Sequence, residues 1–551
     1  MKIKSLLIGM LACSAMVACT NEDLPEVDNG KVNAGDQAYI AVNISNSNVN
    51  SRGASTTFEN GIDEENAFEK ATFFFFDNGG NPYNVSSTGN YVEKTFAEMN
   101  MQANSGNVEE ISDNVLVISN SQNVPPQKML VVLNAPEGLS GKTLGELREE
   151  VAAYGLTTTD VTDDNNVTRT KVEYKNTAKF VISNSVYVNE TTGKEVDAVD
   201  LTSSNIAPDA TKALANPVKI YVERTVAKVR VTDVRTDKSV NVTVKDNQGT
   251  DVAIHAQIVG WKVTNITKET NLLKKINTTW TGWDWNAPSN FRSYWADTED
   301  KAVSHPWTYS ELTNAAGTFD YYFENTKANV AEVKDNNDVV TTPAQHNKSQ
   351  LLVAVKLVAS TDASDTKANG VTICEWFGTK YTLDGLKTAI ANSLNTQIYY
   401  ANDKSSIKPE HITFFQEVDN KDGKRYVSYA TLVDNSAITD ATFIDADGKA
   451  LTKAQVNTKL AAIQPALIWN EGMAYYYLDI EHFGTGDATH GLVRNHLYDI
   501  TIGKIEGLGT PVYDPTKIIT PEKPVDEYSF ISAQINILAW KVVKQQNVTL
   551  D

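Results

Sequence analysis

A chain of 551 residues, 41% apolar and 21% charged, is long enough for two to four domains of ordinary size and too apolar to be a disordered polymer. Its formal net charge of −20 excludes the dense Lys/Arg surface that nucleic acid rewards. The same charge speaks against an anionic membrane surface as partner, and otherwise promises only solubility.

The chain opens with MKIKSLLIGMLACSAMVAC: Lys2 and Lys4, an apolar run from Leu6 to Ala18, then Cys19. A charged start, an apolar core too short for a permanent span and a small-residue exit predict a bacterial signal peptide over residues 1–19. Ala18 followed by Cys19 predicts a lipobox, with Met16 at the usual leucine position. There the thiol takes a diacylglyceryl group, palmitate serving as an acyl chain, and becomes the mature N-terminus. The acidic TNED that follows matches a signal for the outer-membrane surface. Of the three cysteines, Cys13 leaves with the signal and Cys19 is lipidated, so Cys374 in VTICEWFG stands alone. No intramolecular disulfide is then available, and Cys374 reads as a small buried hydrophobe.

Residues 20–37 read as an acidic tether within a propeptide, 20–52. AYIAVNIS (38–45) alternates, with Ala38, Ile40, Val42 and Ile44 on one side, and predicts a strand. A polar stretch follows that carries Arg52, the first arginine of the chain, so the Arg52–Gly53 bond is open to a trypsin-like protease. Strand-like runs then recur at 71–80, 129–136, 179–188, 218–234, 252–266, 349–358, 411–418, 473–480 and 496–505, with Asn/Asp/Gly turns between them. That pattern predicts mainly β architecture in antiparallel sandwiches rather than βαβ units. Short helices are expected over 143–154, 382–394 and 452–463, the first opening on a Thr143/Glu146 capping box. The apolar periodicity lapses over 202–217, which sets a boundary between a first domain (53–215) and a second (216–506). The prolines Pro511, Pro515, Pro521 and Pro524 predict an extended linker over 507–528 that resists folding back. Last comes an amphipathic strand within 529–551.

Little in the chain marks catalysis. The seven histidines have no metal-ligand spacing, and no nucleophile elbow or phosphate loop occurs, so neither enzyme nor metal nor other cofactor is expected. Trp280, Trp283, Trp285 and Trp295 crowd one segment. They read first as a long loop pinned by its aromatics and second as a stacking platform for glycans, which would make the chain a monomeric glycan-binding lipoprotein.

The two ends match. The tail sets Ile531, Ala533, Ile535, Ile537 and Ala539 on one side and Ser532, Gln534, Asn536, Leu538 and Trp540 on the other, with the period of the first strand. A cut after Arg52 would free the first strand, and the tail of a neighbouring copy would fill the groove. Five inward apolar side chains supply on the order of 10 kcal/mol. Ordering the strand costs a comparable amount, so ladder bonds must tip the balance. Such head-to-tail contact does not close, and it builds a filament.

With Cys19, the strand ahead of Arg52, VERTVAKVRV (222–231), LVRNHLYDITIGKI (492–505) and INILAWKV (535–542), the chain resembles the fimbrillins of type V pili, most closely the Mfa-type major stalk subunit. The resemblance runs nearly end to end. It implies two transthyretin-like β-sandwich domains, with VERTVAKVRV opening the second, and export as an outer-membrane lipoprotein. Cleavage at Arg52–Gly53 by a gingipain-like protease and polymerisation through a donor strand, 531–543, are also implied. The implied partners are copies of the chain, anchor and tip subunits, the protease, and host or bacterial surface ligands.

Overall fold

The computed structural model describes residues 37–46, 62–99, 102–103, 110–119, 124–152, 156–162, 166, 168–174, 179–189, 191–277, 296–362, 365–418, 426–439, 441–482, 491–519 and 530–539. The fold is mainly β with a few short helices.

The first domain is one long sheet wrapped round its own core. Its elements are β1 (Gln37–Asn46), the one-turn α1 (Asp63–Asn66), β2 (Lys70–Phe76), β3 (Tyr91–Thr95), β4 (Gln102–Ala103), β5 (Glu110–Ser119) and β6 (Lys128–Leu133). After them come α2 (Leu144–Arg148), β7 (Ile182–Asn184), α3 (Ala210–Ala215) and β8 (Val218–Arg224). The strands run in the order β3-β2-β6-β7-β8-β1-β5-β4. Alternating side chains from all the longer strands, among them Ile40, Phe73, Phe75, Leu116, Val131 and Ile220, meet in one buried cluster, which requires the sheet to curl. The other face of β2 and β6 is covered by α2 and by Leu272, Leu273 and Ile276.

The second domain stacks two sheets. It contains β9 (Val226–Asp233), β10 (Ser239–Lys245), β11 (Asp251–Thr264), β12 (Phe319–Phe323), β13 (Gln350–Val358), β14 (Ile373–Trp376), β15 (Thr379–Thr382), α4 (Leu383–Leu394), α5 (Lys453–Ala461), β16 (Leu467–Trp469), β17 (Met473–Asp479), β18 (His496–Glu506), β19 (Thr510–Pro511) and β20 (Phe530–Ala539). One sheet is β12-β9-β18-β20, the other β16-β14-β15-β10-β11-β13-β17-β19. Val229, Val231, Ile500 and Ile502 of the first meet Trp261, Val263, Val353 and Val355 of the second in a shared core. The helices α4 and α5 build a satellite core with Leu386, Ile390, Leu394, Val456 and Leu460 beside it.

The expected strands all form, with three differences. The 218–234 run breaks at Thr225: β8 pairs within the first sheet, while β9 pairs with β12 and β18 in another. The sandwiches are antiparallel except where β1 pairs with β8, β9 with β18 and β10 with β15, all in parallel. The 143–154 helix keeps its capping box but stops at Arg148, because Val151–Ala152 pairs as a short strand with Thr270–Asn271. Tertiary pairing there overrides helical spacing. Helices α4 and α5 match expectation, each with a threonine N-cap, Thr382 and Thr452.

The register of β11 against β13 shifts between Ile258 and Gly260, and a β-carbon on Gly260 would stand 1.7 Å from the Leu312 carbonyl oxygen. That oxygen belongs to backbone and cannot swing away. Gly260→Ala is therefore expected to destabilise the second domain by about 3 kcal/mol, read as a lowered melting temperature in calorimetry.

Candidate functional site

β1 is the strand on which the first sheet depends. It pairs antiparallel with β5 from Gln37 to Ser45 and parallel with β8 from Val42 to Asn46. Ala38, Ile40 and Val42 are fully buried in the core. The opposite side is sealed as well: Ala41, 1% exposed, packs against Ala207 and Ala213. The Tyr39 N–H donates to the Ala207 carbonyl at 2.8 Å, and the Ala207 N–H to that of Tyr39 at 2.9 Å. The 202–217 stretch is therefore not an empty boundary. It carries α3, N-capped by the Asp209 carboxylate, which accepts from the Lys212 N–H at 2.8 Å, and it closes over β1. Apolar periodicity missed this lid because its contacts are made by alanines.

Among the described residues, few other ladder pairings hold the neighbours of β1. β7 pairs only with the last three residues of β8, Val222–Arg224, so among the described residues Val218–Ile220 have β1 as their ladder partner. β5 meets β4 at Glu110 and Ile111 and has β1 as its ladder partner beyond them. Without β1, β4 and β5 lose their ladder connection to the rest of the sheet.

The tail strand β20 lies at the edge of its own second domain. It pairs antiparallel with β18 from Phe530 to Ala539, with a register shift between Ile502 and Lys504. The expectation that the prolines hold the tail away is therefore corrected. Residues 507–519 are packed, with Leu508, Val512 and Ile519 buried and β19 paired to β17. Trp469 Nε1 donates to the Gly509 carbonyl at 3.1 Å, and the Tyr476 hydroxyl to that of Gly507 at 2.8 Å. Pro511 fits because an edge strand tolerates a missing donor. Only 520–529 remain between the packed segment and β20, a reach of about 35 Å at full extension.

A junction of buried charges joins the two domains, and it gathers VERTVAKVRV and LVRNHLYDITIGKI in one place. The Arg224 backbone N–H donates to Asn495 Oδ1 at 3.2 Å, and its Nε to the Glu65 carbonyl at 3.1 Å. Lys228 Nζ lies 2.7 Å from Glu65 Oε1, which also accepts from the Tyr321 hydroxyl. Across the junction Arg494 Nε donates to Glu324 Oε1 at 2.9 Å, and Lys274 Nζ to Glu223 Oε2 at 3.1 Å. Burial pushes the Glu223 carboxyl above its usual range, with Lys274 and Arg494 pulling the other way. Charged residues inside apolar strand runs were the sequence signal for this junction, and their partners were not readable.

Among the expected site residues, Ile44 and Ile531, Ala533, Ile535, Ile537 and Ala539 lie in strands, and only their backbone is described. Cys19, Arg52, Gly53, Trp280, Trp283, Trp285, Trp295 and Trp540 lie outside the described residues. Cys374 is fully buried, and burial pushes its thiol up to about 12. Among the described residues no His/Cys/Asp/Glu group could hold a metal ion, and no helix is long and apolar enough to cross a membrane.

Among the described residues, the first strand thus lies inside one sheet and the last at the end of another. Residues 468–546 match the family described as major fimbrial subunit protein type IV, fimbrillin, C-terminal. That match, over the last part of the chain, is in keeping with the resemblance read from the sequence. No curated protein matches the chain. Solved structures similar to it include a candidate cell adhesion protein from Parabacteroides distasonis, at 10% identity and TM-score 0.34, covering 92% of this chain and 98% of that one. The tip fimbrial protein Mfa3 from Porphyromonas gingivalis, truncated at its C-terminus, is similar at 11% identity and TM-score 0.30, covering 92% and 100%. A fimbrial assembly protein from Parabacteroides distasonis follows at 9% identity and TM-score 0.26, covering 76% and 99%.

Close to the junction, His482 and His496 are buried with ring centroids 4.9 Å apart. Burial, with Lys274 nearby, lowers His496 to about 3, and burial, with His496 and Lys274, pushes His482 well below the ordinary value. Both rings stay neutral in the native state, whereas in the unfolded chain they gain a proton below about 6.5. The unfolded state then binds more protons, so stability falls as the pH drops from 7 towards 5, by up to about 1.4 kcal/mol per pH unit for each ring. Urea unfolding at pH 7 and 5 is expected to show this loss, with a shallower slope in His496→Gln.

Proposed function

We propose that the chain is the repeating stalk subunit of a bacterial surface fimbria of the type V class. It is exported as an outer-membrane lipoprotein through Cys19 and cut after Arg52. It then polymerises when the tail of one copy replaces β1 of the next. The observation that carries this reading is the position of β1, flanked by β5 and β8 and covered on both faces, in a segment upstream of the cut.

The chain with β1 in its groove and β20 on its own β18 corresponds in this reading to the precursor. A cut in the segment after β1 severs the covalent tie to α1, whose Glu65 and Asn66 stay fixed by Arg224 and Lys228. The tail gains by moving. At the edge of β18 it has one strand neighbour, and in the groove it has two, β5 and β8. Each added ladder bond contributes about 1 kcal/mol, and the open edges of an empty groove are costly, so removal and replacement are coupled. A tip subunit needs no free donor and an anchor keeps its lipid, which leaves the stalk as the part using both devices. Anchor and tip subunits, a trypsin-like protease and host or bacterial surface ligands complete the assembly, which serves adhesion and biofilm formation.

Limited trypsin treatment of purified precursor, compared with untreated protein on unheated gels, is expected to give a ladder. Arg52→Ala should remain folded and monomeric, and deletion of 531–551 should abolish the ladder while leaving cleavage intact. Normal filaments from Arg52→Ala would remove the processing step from this reading.

A further inference from the structure

β1 and the tail agree position by position when read in the same direction. Tyr39-Ile40-Ala41-Val42-Asn43-Ile44-Ser45 aligns with Phe530-Ile531-Ser532-Ala533-Gln534-Ile535-Asn536. An aromatic meets an aromatic, isoleucine meets isoleucine twice, a small residue meets a small one, and an amide meets an amide.

The fold shows why those positions are restricted. Ile40 and Val42 enter the core. Ala41 on the opposite face is buried against Ala207 and Ala213, so a larger side chain there would have to push these neighbours aside. Among the alternate tail residues that would share that face, Phe530, Ser532, Gln534, Asn536 and Leu538, only Ser532 is small. A slip of two residues would press Phe530 or Gln534 against the two alanines. Reversal about Ser532 would set Gln534 at the place of Tyr39 and Phe530 at that of Asn43, and the match is lost.

We propose that residues 530–536 of one copy occupy positions 39–45 of another in the same direction, parallel to β8 and antiparallel to β5, with Ser532 under the α3 lid as the residue that selects the register. This rests on the strand-exchange reading above. By the pairing of β1, Phe530 then stands opposite Val117, Ser532 opposite Val115, and Gln534 between Asp113 and Lys219.

Cysteine pairs test the register, because neighbouring strands bring matched positions within disulfide reach. Val117 is 48% exposed and tolerates replacement, while the native Cys374 is buried. Trypsin-processed Val117→Cys/Phe530→Cys protein, allowed to polymerise and then oxidised, is expected to give a covalent ladder on non-reducing gels. The slipped pair Val117→Cys/Ser532→Cys is expected to give none. A ladder from the slipped pair, or from neither pair while filaments form, overturns the register. Failure of processed wild-type protein to form filaments at all would instead sink the exchange reading.

Ser532→Leu should slow polymerisation about tenfold or more with the precursor's melting temperature unchanged, while Ser532→Ala polymerises like wild type. Equal rates for Ser532→Leu and wild type would overturn the selecting role of Ser532.

Discussion

A single strand holds the first domain together. β1 is inserted between β5 and β8, and large parts of both have it as their ladder partner among the described residues. The strand precedes an arginine-bearing segment, and a cut there would convert an intramolecular strand into a bound peptide. Its affinity then depends on the same core contacts and ladder bonds that a second, similar strand can make.

The junction between the domains makes that dependence workable. Arg224 ends β8, which flanks β1, and is held by Asn495 from the second domain and by Glu65 and Asn66 of α1. Glu223 beside it meets Lys274, and Arg494 meets Glu324. Buried ion pairs add little net stability against apolar replacements, but breaking one leaves an uncompensated charge, so they fix geometry more than they strengthen it. Their placement ties the wall of the groove to the second domain independently of β1.

Much of the fold was legible because strand periodicity, turn residues and threonine caps act over a few residues. The run through Val218 to Val234 shows the limit: its alternation is continuous, so the pattern could not reveal that Thr225 hands the chain from one sheet to the other. The segment 507–519 shows another. Its prolines and glycines read as linker, yet Leu508, Val512 and Ile519 are buried because partners distant in sequence lie beneath them. The α3 lid escaped notice since alanines carry no strong hydrophobic signal, although close packing gives them a decisive place over Ala41.

The sequence by itself determined the mainly β architecture, the matched apolar faces of the first strand and the tail, and the arginine between the first strand and the rest, all of which are properties of local pattern. Only the tertiary structure decided that the first strand is sealed on both faces, that the tail rests on β18, and that charged residues from two distant motifs meet at one junction. Those outcomes depend on which surfaces are brought together by folding, and sequence periodicity specifies a face without specifying what covers it.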